Sequence, residues 1–128
     1  STGVNITGAN ASSFVEVAKS KLGCKYVRGA KGPDKFDCSG FVYWCLNKVG
    51  VKQGYMTSRG WAKSNKYTKI KSISALKKGD IIVFEGHVGI IAGGGMMIDA
   101  SSSNGKVVRR SYTSSWCKRM FICGFRVF

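Results

Sequence analysis

The apolar pattern of this chain changes character part-way along, and that change constrains its fold more than any other feature. Up to about residue 65 apolar residues recur at helical spacing; from Ile81 onward they come in short dense runs. Ser13 and Glu16 form a capping-box pattern, with Phe14, Val15, Ala18 and Leu22 as the stripe of a first helix that Gly23 stops. Residues 24–36 carry Gly29, Gly32 and the only proline, Pro33, and read as loop. Asp37 is a good N-cap for a second helix, with Cys38 in its first turn. Phe41, Val42, Cys45, Leu46 and Val49 form its buried stripe, and Gly50 ends it. A short helix is expected within residues 55–65. Past a lysine-rich stretch, Gly79-Asp80 reads as a turn into the strand Ile81 to Phe84. Further strands are expected from His87 to Ala92, Met96 to Ala100, at Val107-Val108, and from Phe121 to Phe128. Helices followed by strands predict an α+β fold, with N-terminal helices packed on a C-terminal antiparallel sheet. No repeat or linker divides the chain, so residues 1–128 are expected to form one domain, with residues 1–10 a loose lead-in.

Charge narrows the partners. Lysine and arginine number 21 against 6 acidic residues, a net charge of +15. So basic a surface suits a polyanion: nucleic acid, an anionic membrane, or an acidic polymer. The densest cluster, Lys66, Lys69, Lys71, Lys77 and Lys78, falls in apparent loop with no helix-turn-helix or aromatic RNA-binding pattern, which argues against specific nucleic-acid recognition. No run of about 18 apolar residues provides a transmembrane helix. The Ser-Thr-Gly opening, without methionine, reads as a mature or excised product, and no signal peptide is visible.

The reactive residues are few. Of five cysteines, one free thiol plus up to two disulfides among Cys24, Cys45, Cys117 and Cys123 is the economical reading for an exported protein, with the pairing open. No metal is expected: no two cysteines are separated by two residues, and one histidine cannot complete the usual zinc motifs. Cys38 differs from the others in its setting, because a helix N-terminus and a nearby imidazole both favour a thiolate. Cys24 and Cys45 read as structural thiols. His87, the chain's only histidine, opens a strand. A hairpin centred near Gly93 would set Asp99 opposite it, because antiparallel partners share a constant index sum. Opposed residues project from one side of a sheet, so Asp99 could accept a hydrogen bond from the imidazole and fix its tautomer. Cys38, His87 and Asp99 are thus the candidate nucleophile, base and orienting carboxylate.

The motifs FDCSGF around Cys38, GDIIVF at 79–84 and HVGIIAGGGMMIDA at 87–100, in that order and spacing, resemble the NlpC-like cell-wall cysteine peptidases, a family with a papain-like α+β fold. The resemblance runs from about Phe14 to the C-terminus and implies a single catalytic domain. It implies that Cys38 attacks the scissile carbonyl and His87 acts as base. Many members carry a second histidine where this chain has Asp99, so a different pH profile is expected. Tyr26, in YVRGAKG, looks like the family tyrosine near the nucleophile. Asp37 and Ser39 look like the pair that, with this tyrosine, holds the free amine of a peptide stem. Arg59 falls where the family often has an arginine, and the Cys38 backbone N–H is a natural oxyanion donor.

The resemblance implies a secreted, monomeric peptidoglycan hydrolase that cuts stem peptides between D-γ-glutamate and the following diamino acid, without cofactor or metal. Peptidoglycan is then the substrate, and acidic cell-wall polymers are partners by charge. Three alternatives stay open: an N-acetylmuramoyl-L-alanine amidase or acyl transferase on the same scaffold, a non-catalytic cationic wall-binding module, and a nucleic-acid binder.

Overall fold

The computed structural model describes residues 10–128; the expected lead-in lies outside the described residues except for Asn10. Asn10 is the true N-cap of the first helix, α1 (Ala11–Ser20): its side chain accepts from the Ser13 N–H while the Ser13 side chain accepts from the Asn10 N–H. The capping box therefore begins three residues earlier than the Ser13–Glu16 pattern suggested. Asn is as good a cap as Ser, and Glu16 instead meets Lys19 at 3.6 Å on the helix surface. Because α1 ends at Ser20, Leu22 lies beyond it and is exposed, and Val17 takes its place in the buried stripe.

The segment read as loop contains two short strands, β1 (Lys25–Tyr26) and β2 (Lys35–Phe36), paired in parallel. Helices α2 (Cys38–Lys48) and α3 (Ser58–Lys63) follow as expected. Then come β3 (Thr68–Ile70), a 3-10 turn at Ile73–Ala75, and the strands β4 (Ile81–Phe84), β5 (His87–Gly93), β6 (Met96–Ser101) and β7 (Lys106–Ser111). An unforeseen helix, α4 (Ser115–Met120), precedes β8 (Phe121–Arg126). All eight strands join one sheet in the order β2-β1-β7-β6-β5-β4-β8-β3, antiparallel apart from the β1–β2 pair. The segment before Ile81 thus contributes three strands to a sheet expected from the residues after it alone.

The sheet is covered on both faces. Ile81, Val83, Val88, Ile90, Ile98 and Ala100 pack with Phe14, Phe41, Val42, Leu46 and Trp61 of the N-terminal helices. The intervening residues Ile82, Phe84, Ile91 and Met97 pack with Leu76 and with Cys117 of α4. This alternation explains the unbroken apolar run Ile81 to Phe84, since a strand buried on both sides has no polar face. The expected stripe of α2 is fully realised, with Phe41, Val42, Cys45 and Leu46 all at 0% exposure. At roughly 1.5–3 kcal/mol for each large apolar side chain buried, it anchors the helix firmly against β5 and β6.

All five cysteines are free thiols, which corrects the disulfide expectation. Cys117 and Cys123 illustrate why: Cys117 packs in one apolar cluster and Cys123 in the other.

Candidate active site

The site forms where the N-terminus of α2 meets the start of β5. Asp37 caps α2, its Oδ1 accepting from the Gly40 N–H at 2.7 Å and its Oδ2 from the Gly29 N–H at 2.9 Å. The second bond ties the glycine-containing loop to the helix start. Gly40 is needed for the same reason: a Cβ there would sit 2.1 Å from the Ala30 carbonyl oxygen. Cys38, the first residue of α2, is held at this junction and is partly exposed. Its backbone N–H has no helical acceptor, as in the first turn of any helix.

His87 and Asp99 meet, but not by the register expected. Ile90 pairs with Ile98 and Ile91 with Met97, and the register shifts between Ile91 and Gly93. Continued by one residue, this sets Asp99 against Gly89, where a Cβ would lie 3.1 Å from the Asp99 Cβ. His87 is therefore the diagonal neighbour of Asp99. The two-residue period keeps both on one face, and Gly89, having no side chain, leaves the space between them open. His87 Nε2 lies 2.7 Å from Asp99 Oδ2. The remaining nitrogen, Nδ1, is the one free for Cys38. The His87 ring stacks on Phe84 with centroids 6.0 Å apart and meets the edge of Trp116 at 6.4 Å.

The electrostatics follow from these contacts. Burial pulls the His87 pKa down, but the hydrogen bonds it makes to Asp99 and Cys38, together with their charges, override it and raise the pKa to about 9. The imidazole is therefore held as imidazolium at neutral pH. Asp99, with no exposed side-chain surface, has a second partner: Arg110 on β7 donates from Nε to Oδ1 at 3.1 Å and from a terminal nitrogen to Oδ2 at 2.6 Å. A buried carboxylate bridging two cations meets the requirement that buried charge be paired.

Tyr26, placed by β1, is close enough to Cys38 and Asp37 for their charges to act on its hydroxyl. Burial raises its pKa first, and Cys38 and then Asp37 add to the rise. Ser39 Oγ donates to Asp37 Oδ1 at 3.3 Å and lies 2.8 Å from the Tyr55 hydroxyl. The carboxylate of Asp37 thus spends three of its roughly four acceptor positions on the protein and keeps about one for a ligand. Arg59 does not join this group. It is exposed on α3 and lines a separate cavity of about 170 Å³ with Phe84, Glu85 and Gly86, on the turn leading to His87. Among the described residues no cluster of histidine, cysteine and carboxylate side chains could hold a metal ion, and no helix is long and apolar enough to cross a membrane.

Sequence reasoning missed Arg110, Tyr55, Trp116 and the role of Gly89. Only Gly89 left a trace, as a glycine inside an apolar strand, which commonly marks close approach of another group. Arg110 was hidden because its strand was recognised only at Val107-Val108.

A thiol at the head of a buried helix, facing an imidazole on an antiparallel sheet, is the papain-like architecture. The chain belongs to the NlpC/P60 family, whose model matches residues 23–125. The probable endopeptidase p60 of Listeria grayi is 35% identical over 93% of this chain, and a probable endopeptidase of Corynebacterium glutamicum (strain ATCC 13032) is 39% identical over 72% of it. The chain spans only 23% and 44% of those two relatives. Among solved structures, NlpC1 of Trichomonas vaginalis superposes with a TM-score of 0.81 at 29% identity, covering 95% of this chain and 46% of that one. The NlpC/p60 domain of the peptidoglycan hydrolase SagA gives 0.77 at 29% identity, covering 93% of this chain and all of that one.

Proposed function

We propose that this domain is a peptidoglycan hydrolase, a cysteine endopeptidase acting on cell-wall stem peptides at the D-γ-glutamyl–diamino acid bond. The observation that carries the reading is the convergence of Cys38, the His87–Asp99 pair and the Tyr26–Asp37–Ser39 group at one helix terminus. The names of the relatives support the class of reaction. The bond is chosen by the amine-holding group: Asp37 keeps a lone pair that suits the free amine of a short stem peptide, which sets how far along the peptide the nucleophile strikes.

In the reaction the proton shared with Cys38 resides on His87, as the imidazolium, and the sulfur bonds to the scissile carbonyl carbon. The oxygen that gains charge faces the Cys38 backbone N–H. The C–N bond then breaks as the imidazolium gives its proton to the leaving amine, and a thioester remains. Water, deprotonated by His87, adds to the thioester carbon and expels the sulfur, which recovers a proton from the imidazolium. Asp99 keeps the ring oriented and its charge balanced throughout.

The acidic side chains Asp37, Asp80 and Asp99 are all buried, and Asp80 and Asp99 are paired bidentately with Arg126 and Arg110. Much of the negative charge is therefore spent inside while the lysines face solvent. Such a surface draws the domain to acidic wall polymers, and with that substrate action outside the cell follows.

The test is mass spectrometry of purified muropeptides incubated with the domain and with Cys38→Ala. A new fragment ending in D-glutamate, absent with the variant, is the expected result. Release of intact stem peptide would move the reading to an amidase. No cleavage by folded, reduced protein would make it a binding module.

A further inference from the structure

Asp99 is approached by a cation from each neighbouring strand. On β7 Val108 stands opposite it, and Arg110 pairs with Met97. Arg110 is therefore its diagonal neighbour on β7, as His87 is on β5, and the two-residue period sets all three side chains on one face of the sheet. The two cations share one oxygen. Asp99 Oδ2 accepts from His87 Nε2 at 2.7 Å and from a terminal nitrogen of Arg110 at 2.6 Å, while Arg110 Nε donates to Oδ1 at 3.1 Å. The carboxylate has no exposed surface, and the guanidinium that holds it is 35% exposed. His87 and Arg110 also wall one cavity of about 430 Å³, together with Glu85 and Trp116.

Around His87 stand the Cys38 thiol at the head of α2, Asp99 on β6, Arg110 on β7 and Glu85 on the turn before β5. Phe84 and Trp116 present only rings to it. Tyr26 on β1 acts on the thiol, and Arg59 on α3 lines the smaller cavity on the Glu85-Gly86 turn. Glu85 makes no ion pair among the described residues. With Cys38 as thiolate and His87 as imidazolium, the connected group of Cys38, His87, Asp99 and Arg110 holds two anions and two cations. Without Arg110 it would be net negative around a buried carboxylate. Net negative charge tightens the hold on a proton, and Oδ2 without its guanidinium partner is a stronger acceptor. Both effects would keep the proton on His87 when the leaving amine needs it. We propose that Arg110 is a positioning residue for the reaction: it fixes both oxygens of Asp99 and balances their charge, so that the carboxylate orients the imidazolium without trapping its proton. The role in turnover rests on the endopeptidase reading; the balance of charge does not.

The experiment titrates His87 by proton NMR in the Cys38→Ala background, which removes the coupled sulfur, with Arg110 intact, with Arg110→Gln and with Arg110→Lys. Arg110→Gln should raise the His87 pKa by about one unit, the effect of one nearby charge. Arg110→Lys keeps the charge without the two parallel donors and should leave the pKa within about 0.3 units. No rise, or a fall, with Arg110→Gln means that the arginine only braces the strand, which overturns the proposal. With Cys38 in place, turnover of purified muropeptides should show kcat lowered about tenfold in Arg110→Gln with KM little changed, and most of that loss recovered in Arg110→Lys. A raised KM at unchanged kcat would make Arg110 a substrate contact instead and overturn the proposal. Arg110→Gln leaves a buried carboxylate short of a partner and is at risk of unfolding. Asp99→Asn and Asp99→Asn/Arg110→Gln are therefore compared as well, since the second loses both charges together. With no carboxylate to balance, removing the arginine should cost no further kcat; a further tenfold loss marks a role independent of Asp99 and overturns the proposal. If the folded, unaltered protein cleaves nothing, the endopeptidase reading fails by itself, and the titration still decides the balance of charge.

Discussion

The chain's single histidine makes one measurement unusually clean, because every histidine ring resonance that titrates belongs to the same imidazole. The structure places its pKa at about 9 against 6.5 for a free imidazole, a difference of about 2.5 units or roughly 3 kcal/mol of preference for the imidazolium. Burial opposes this, and the hydrogen bond that the ring donates to Asp99 is the foremost contribution that raises it, followed by the contacts with Cys38. Asp99→Asn keeps the shape and removes the charge, so the pKa should fall to 6.5 or below, where burial dominates. Cys38→Ala should lower it less. The linkage runs in one direction. A pKa raised on folding contributes stability that is whole below pH 6.5 and is lost as pH rises through about 9. The unaltered protein should therefore lose up to about 3 kcal/mol across that window, and Asp99→Asn should show almost none of this dependence. The assay is a proton NMR titration of the ring alongside urea unfolding at several pH values. A wild-type pKa near 6.5, or a value still near 9 in Asp99→Asn, would refute the reasoning.

Other outcomes follow from the packing. Gly89→Ala puts a methyl 3.1 Å from the Asp99 Cβ and should push the carboxylate off His87, costing about 1–2 kcal/mol of stability but a larger share of activity, with a lowered His87 pKa as the check. Gly40→Ala collides with the Ala30 carbonyl at 2.1 Å and should lose about 3 kcal/mol in urea unfolding, while Gly54→Ala, with open space around it, should be near neutral. In the native state iodoacetamide should label only the partly exposed Cys24 and Cys38, leaving the buried Cys45, Cys117 and Cys123. Burial also raises the thiol pKa of Cys45 and Cys123. Peptide mapping before and after denaturation shows the difference, and native labelling of Cys45 would contradict the core.

Much of the site was legible because its parts are local. A carboxylate capping a helix, a thiol in the first turn and an apolar stripe behind it depend on spacing within a dozen residues, and Asp37, Cys38 and the stripe from Phe41 to Leu46 are where the pattern placed them. The unbroken run Ile81 to Phe84 also implies cover on both faces, since four consecutive buried residues leave a strand no polar side, and α4 with the 3-10 turn supplies the second cover. The residues that escaped are those whose role depends on register. The irregularity near Gly93 moved Asp99 two residues along β5, and only the lack of a side chain at Gly89 lets the pair still meet.

The chain by itself determined which residues could react and which faces had to be buried, since helical spacing, capping and strand alternation follow from neighbours along the backbone. Tertiary structure decided which distant residues act together. Arg110 reaches Asp99 from a neighbouring strand, Tyr26 reaches Cys38 through a strand inside an apparent loop, and Trp116 walls the cavity from a helix on the other face of the sheet. Those meetings depend on strand order and register, which long-range packing sets and local sequence does not encode.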